Sequence, residues 1–139
     1  MTERQIFCVA PQYAYNDSQR GVSYEFMTVF KCLRDTFPHS QFIDVYQAGG
    51  IDKLLNALLA NAQAHPVVLY VPFTGIITQD IADEIRKVAE LGIFHLDDTW
   101  RHKIVDRYRE HCDWFTSSDP NFKWRYRGKD EGKVRHLPF

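Results

Sequence analysis

At 139 residues the chain is the size of one domain, long enough to bury a substantial core. Its apolar share of 45% and charged share of 25% are those of an ordinary globular protein, and a net charge of −1 makes no case for nucleic acid or an anionic membrane as partner. No apolar run approaches membrane-spanning length. The opening MTERQIFCVA passes from charge straight into an apolar stretch without a signal-peptide core. Cys8, Cys32 and Cys112 are odd in number, far apart and without CxxC spacing, which argues for a reducing compartment. The expected location is therefore the cytoplasm.

In chain order, Gln5 to Ala10 reads as a buried strand ended by Pro11, and PQYAYNDSQRG as a long polar loop of the kind that carries function. Ser23 is placed to cap a helix whose apolar positions are Phe26, Val29, Phe30 and Leu33. Gln41 to Tyr46 is a second strand. Gly49 and Gly50 introduce a helix with Ile51, Leu54, Leu55, Leu58 and Leu59 on one face. Val67 to Val71 is apolar throughout, as suits a central parallel strand covered on both sides.

Thr78 caps the next helix, Asp80 favours its dipole, Ile81, Ile85, Val88 and Leu91 form its inner stripe, and Gly92 ends it. Ile93 to Leu96 is the fourth strand, Trp100 to His111 a helix and Asp113 to Ser117 the fifth strand. Asp119 and Pro120 open a short helix to Arg127, Gly128 closes it, and Val134 to Leu137 is the sixth strand. This alternation predicts an α/β fold: a single Rossmann-like domain, a doubly wound parallel sheet of about six strands. Ligands of such sheets gather at the carboxyl ends of the strands.

That rule gives a reason for the paired acids Asp97 and Asp98, which would repel each other in a core but are solvated at a strand's carboxyl end. Asp98 fits a helix cap, with Thr99 as competitor, which leaves Asp97 to meet a ligand hydroxyl. Trp100 beside them offers a flat apolar face on which sugar rings pack, although core filling is the commoner fate of a tryptophan. A metal held by His95, Asp97, Asp98 and His102 is disfavoured because no distant third ligand completes the set. Thr116 and Asp119 sit at the end of the fifth strand, where helix capping and contact with a polyol compete as roles. Glu25 either favours its helix dipole or faces the same edge. GxGxxG and Walker loops are missing, as are the acids of a receiver domain, so neither a metal nor a cofactor is expected.

The ordered segments GVSYEFMTVFKCLRDTF, FIDVY, LGIFHLDDTWRH, DWFTSSDPNFKWRY and KVRHLPF resemble the amino-terminal half of two-domain, GT-B type glycosyltransferases, closest to the group related to spore-maturation CgeB proteins. The likeness runs from about Ile6 to Phe139. It implies that the chain holds the acceptor, a sugar or glycan, while a carboxyl-terminal domain holds the nucleotide-sugar donor. Carried over by position, Gly21, Tyr24 and Glu25, the Asp97–Asp98 turn and the Thr116–Asp119 turn would line the cleft between the domains. The chain stops at HLPF, about where the linker to the donor domain begins in that family. Residues 1–139 are thus expected to form the acceptor-side domain alone, excised or free-standing, without turnover of its own. The rival expectation is a non-catalytic interaction module, a homodimer included, docking through Leu137, Pro138 and Phe139.

Overall fold

A computed structural model of the chain describes residues 4–95, 103, 104 and 106–137, without the side chain of residue 129. Among these residues, β1 (Ile6–Val9), β2 (Gln41–Ile43), β3 (Val67–Tyr70), β4 (Glu90–Ile93), β5 (Trp114–Ser117) and β6 (Val134–His136) form one sheet. Its order is β2-β1-β3-β4-β5-β6, and every pairing is parallel. A π-helical turn, Glu25–Phe30, runs into α1 (Lys31–Thr36). Then come α2 (Gly50–Ala60), α3 (Gln79–Arg86), α4 (residues 103, 104 and 106–108 of those described) and α5 (Phe122–Arg125). The Rossmann-like α/β architecture read from the alternation is the one observed. No helix among the described residues is long and apolar enough to cross a membrane.

The step from β1 to β2 runs one way along the sheet and all later steps run the other way. Right-handed crossovers therefore place α1 on one face and α2 to α5 on the opposite face. Packing agrees. Phe26 and Phe30 meet Phe42 on the α1 face, with ring centroids 4.8 and 5.2 Å apart. Leu54, Leu58, Ala82, Ile85, Tyr108 and Tyr126 instead share a core with Phe7, Val9, Val68, Tyr70, Leu91, Ile93, Phe115 and Val134. Among the described residues one helix lies on one face and four on the other, and Glu90, Phe94, Trp114 and Leu137 on the α1 face are only half-buried.

Trp114 covers some of that face. A Cβ built on Gly92 would lie 2.1 Å from Trp114 Cζ2, so the indole rests directly on the glycine backbone of the paired strand. The indole Nε1 donates to Glu90 Oε1 at 2.7 Å, and the other oxygen of Glu90 pairs with Arg4 at 2.8 Å. This corrects the expectation that Gly92 ends a helix. α3 stops at Arg86, and β4 begins at Glu90, three residues earlier than expected. Leu91 extends the helical stripe by spacing but pairs with Val68 in the sheet. Leu59, expected on the inner face of α2, is 66% exposed.

Cys8 and Cys112 are buried and Cys32 is exposed. Burial pushes the Cys8 thiol from 9.0 up to about 12 and the Cys112 thiol up to about 11. Iodoacetamide added to the native protein at neutral pH is therefore expected to label Cys32 alone, as peptide mass spectrometry would read. The same shifts link stability to alkaline pH. The unfolded chain releases these protons near pH 9 and the folded chain only above it, so the contribution is complete below pH 9 and is lost as pH rises through about 11 to 12. Thermal midpoints should fall above pH 9, and less steeply in Cys8→Ala.

Candidate functional site at the carboxyl edge

Strand order reverses between β1 and β3, so the switch point lies where their carboxyl ends diverge. The turn leaving β3 is held there by hydroxyls. Tyr46 Oη accepts hydrogen bonds from the backbone N–H of Phe73 (2.8 Å) and Thr74 (3.1 Å) and lies 3.0 Å from Tyr70 Oη. Tyr70 Oη donates to the Thr74 carbonyl at 2.9 Å. Burial pushes the Tyr70 hydroxyl above its ordinary value, which keeps it a donor. Every proton in this set has an acceptor, so the tyrosines brace the turn.

The exits of β1 and β2 are tied by Asp44, whose carboxylate accepts from the backbone N–H of Gln12 and of Tyr46, both at 2.9 Å. The polar loop after β1 folds back by an antiparallel bridge between Tyr13 and Val22. Tyr15 and Asn16 adopt left-handed φ values of 54° and 57° within it, and the Tyr15 ring meets Phe73 edge-on at 6.3 Å. The loop thus lies against the switch-point turn.

Of the residues expected to line a cleft, Gly21 is exposed at the loop's end with φ 81°, and its carbonyl accepts from Ala14 N–H at 3.1 Å. Ser23 makes the expected cap, its Oγ accepting from Phe26 N–H at 3.1 Å. Glu25 is half-buried in the first turn. Tyr24 is 57% exposed and stands at an apolar groove of about 390 Å³ on the α1 face, together with Val29, Leu33, Leu69, Phe94 and Leu137. Among the described residues no charged side chain lines this groove. It joins the start of the first helix to the exits of β4 and β6.

At the end of β5 the roles divide. Thr116 is buried, and its hydroxyl accepts from His95 N–H (2.7 Å) and donates to the His95 carbonyl (3.0 Å), fastening the exits of β4 and β5 to each other. Asp119 is half-buried. Its carboxylate accepts from Asn121 N–H at 2.8 Å and pairs with Arg125 at 2.9 Å, which closes a turn ahead of α5; the helix itself starts from Asn121 with no side-chain cap, so the cap expected at Asp119 is not made. It also borders a second concavity, about 480 Å³, shared with Asn121, Trp124 and Arg125.

Asp97, Asp98 and Trp100 lie outside the described residues, as do His102, Pro138 and Phe139. His95 is buried. Among the described residues no group of three or more His, Cys, Asp or Glu side chains is placed to hold a metal ion. A further concavity of about 300 Å³ on the α3–α4 side includes Arg109, which pairs with Asp130 and Asp106 of the same lining, and His111, whose Nδ1 lies 2.9 Å from Asp83 Oδ1.

Trp124 was not singled out by sequence. The signal was available in FKWRY, where Phe122 and Tyr126 are one helical turn apart and both face inward. Phe122 stacks on His136 (4.8 Å, 7°) and Tyr126 meets Phe115 edge-on (4.9 Å), which leaves Trp124 between them pointing out. Compared with known proteins, the chain matches no family model, no curated protein and no solved structure.

Proposed function

We propose that the chain is the acceptor-side domain of a cytoplasmic glycosyltransferase of GT-B type, holding a sugar or glycan while a second domain holds the nucleotide-sugar donor. The observation that carries this reading is the carboxyl edge itself. There an apolar groove with no charged lining among the described residues, ending at Tyr24, Phe94 and Leu137, belongs to the sheet face that carries one described helix. Such a surface suits completion by another folded body. Polar and aromatic groups from the first loop and the β5 exit flank the same edge. The ordered resemblance of the sequence segments supports the same assignment. In this division of labour the chain orients an acceptor hydroxyl, and the cations that neutralise the departing nucleotide come from the donor domain.

The test is an incubation of the chain with UDP-, GDP- and ADP-sugars and oligosaccharide acceptors. The expected result is saturable acceptor binding with no transfer product. Full transfer by the chain alone would contradict the shared-labour reading. The rival reading, a non-catalytic interaction module, is favoured by one feature, the place of Leu137 in the apolar groove. A concentration-dependent dimer that ignores every sugar would decide for it.

A further inference from the structure

We infer that the concavity formed by Asp119, Asn121, Trp124 and Arg125 is a sugar-ring subsite in which the ring stacks on Trp124. The inference rests on the acceptor-binding reading above and gives it a location. α5 is a single turn anchored by Phe122 and Tyr126, so Trp124 faces outward by construction and takes no part in the core. It is 69% exposed, the most exposed of the large apolar side chains among the described residues. Arg127 lies over the ring at 5.1 Å from its centroid, which fixes the indole plane.

Polar groups of both kinds surround the plane. Asp119 brings a carboxylate, Asn121 an amide and Arg125 a guanidinium, and Asp119 and Arg125 hold each other at 2.9 Å. A carboxylate, an amide and a guanidinium beside an aromatic face meet the alternating donors and acceptors of vicinal hydroxyls, while the C–H bonds of a pyranose lie against the electron-rich ring. Arg125 is paired with Asp119, so these two lining charges offset each other, while the Arg127 cation over the ring makes inorganic phosphate the competing ligand to test. The volume of about 480 Å³ falls in the range of about 300–1,000 Å³ common to small-molecule sites. The site also lies after β5, on the edge where parallel sheets bind ligands.

Calorimetric and saturation-transfer NMR titrations of the full chain with the methyl glycosides of glucose, galactose, mannose and N-acetylglucosamine test this. Uridine and inorganic phosphate serve as competing probes. At least one glycoside should saturate, Trp124→Ala should weaken it at least about tenfold, and Trp124→Phe should retain it within about threefold. Because Trp124 is outside the core, Trp124→Ala should keep the wild-type thermal midpoint. Should it unfold instead, Asn121→Ala takes its place, with the same weakening expected. Binding that survives these substitutions, binding of uridine or phosphate alone, or no saturation by any glycoside would overturn the site. The outcome is separable from the broader reading. Sugar binding that ignores Trp124 sinks the subsite and keeps an acceptor role, whereas binding through Trp124 by an obligate dimer that never meets a donor domain keeps the subsite and sinks the transferase.

Discussion

Gly92→Ala is expected to destabilise the protein by about 3 kcal/mol, far more than one added methyl group costs on most strands. The new Cβ would stand 2.1, 2.3 and 2.4 Å from three indole carbons of Trp114. The ring has little room to yield. It projects from the directly paired residue of β5, and its Nε1 is bound to Glu90, which is itself paired with Arg4. Displacing the indole would uncover part of the α1 face and break that chain of contacts. The thermal midpoint should drop by roughly 10 °C for a domain of this size. A smaller partner relieves the clash, so Gly92→Ala/Trp114→Val should lose less stability than the two single variants summed. Urea titrations of all four proteins would measure that coupling. Additive losses would mean that the indole does not rest on Gly92.

The second large effect is expected from deleting one oxygen. Tyr46→Phe keeps the ring and its edge-on contact with Phe73 at 5.8 Å but removes the acceptor of two backbone N–H groups and a partner of Tyr70. Thr74 is exposed, so water can satisfy its N–H, while Phe73 is half-buried and cannot be served as well. About 2 kcal/mol should be lost, against less than about 0.5 kcal/mol for Tyr15→Phe, whose ring is largely in solvent. Hydrogen exchange separates a local from a global loss. Amides 73 and 74 should exchange much faster in Tyr46→Phe while those of β1 and β3 keep their relative protection. Equal acceleration everywhere would mean the hydroxyl does not specifically hold the turn.

The layered fold was legible in sequence because strands buried on both sides and amphipathic helices leave different periods, as VVLYV and the α2 leucines show. Boundaries were not. Leu91 satisfies both the helical stripe and an apolar strand, and only pairing with Val68 across the sheet decides between them. The strand order that puts the switch point between β1 and β3 depends on contacts far apart in sequence, for which local pattern holds no record. Local chemistry did carry the caps at Ser23 and Thr78 and the turn at Asp119. It could not tell that the Thr116 hydroxyl is engaged by His95 rather than open to a ligand, nor that Tyr46 would become the brace of a turn 27 residues away. Trp124 carries no local mark of its position, because an outward tryptophan and a core tryptophan look alike in sequence until their neighbours are placed.

The most direct test of sugar recognition at the strand ends is a map of backbone amide shifts as an acceptor oligosaccharide is titrated into the isotope-labelled protein. Saturable shifts are expected, concentrated in residues 12–25, 94–95 and 117–125, where the β1, β4 and β5 exits lie. Shifts clustered instead on the amino-terminal edge, around residues 4–6, 39–41, 65–67 and 87–90, or none from any oligosaccharide at saturating concentration, would contradict that recognition.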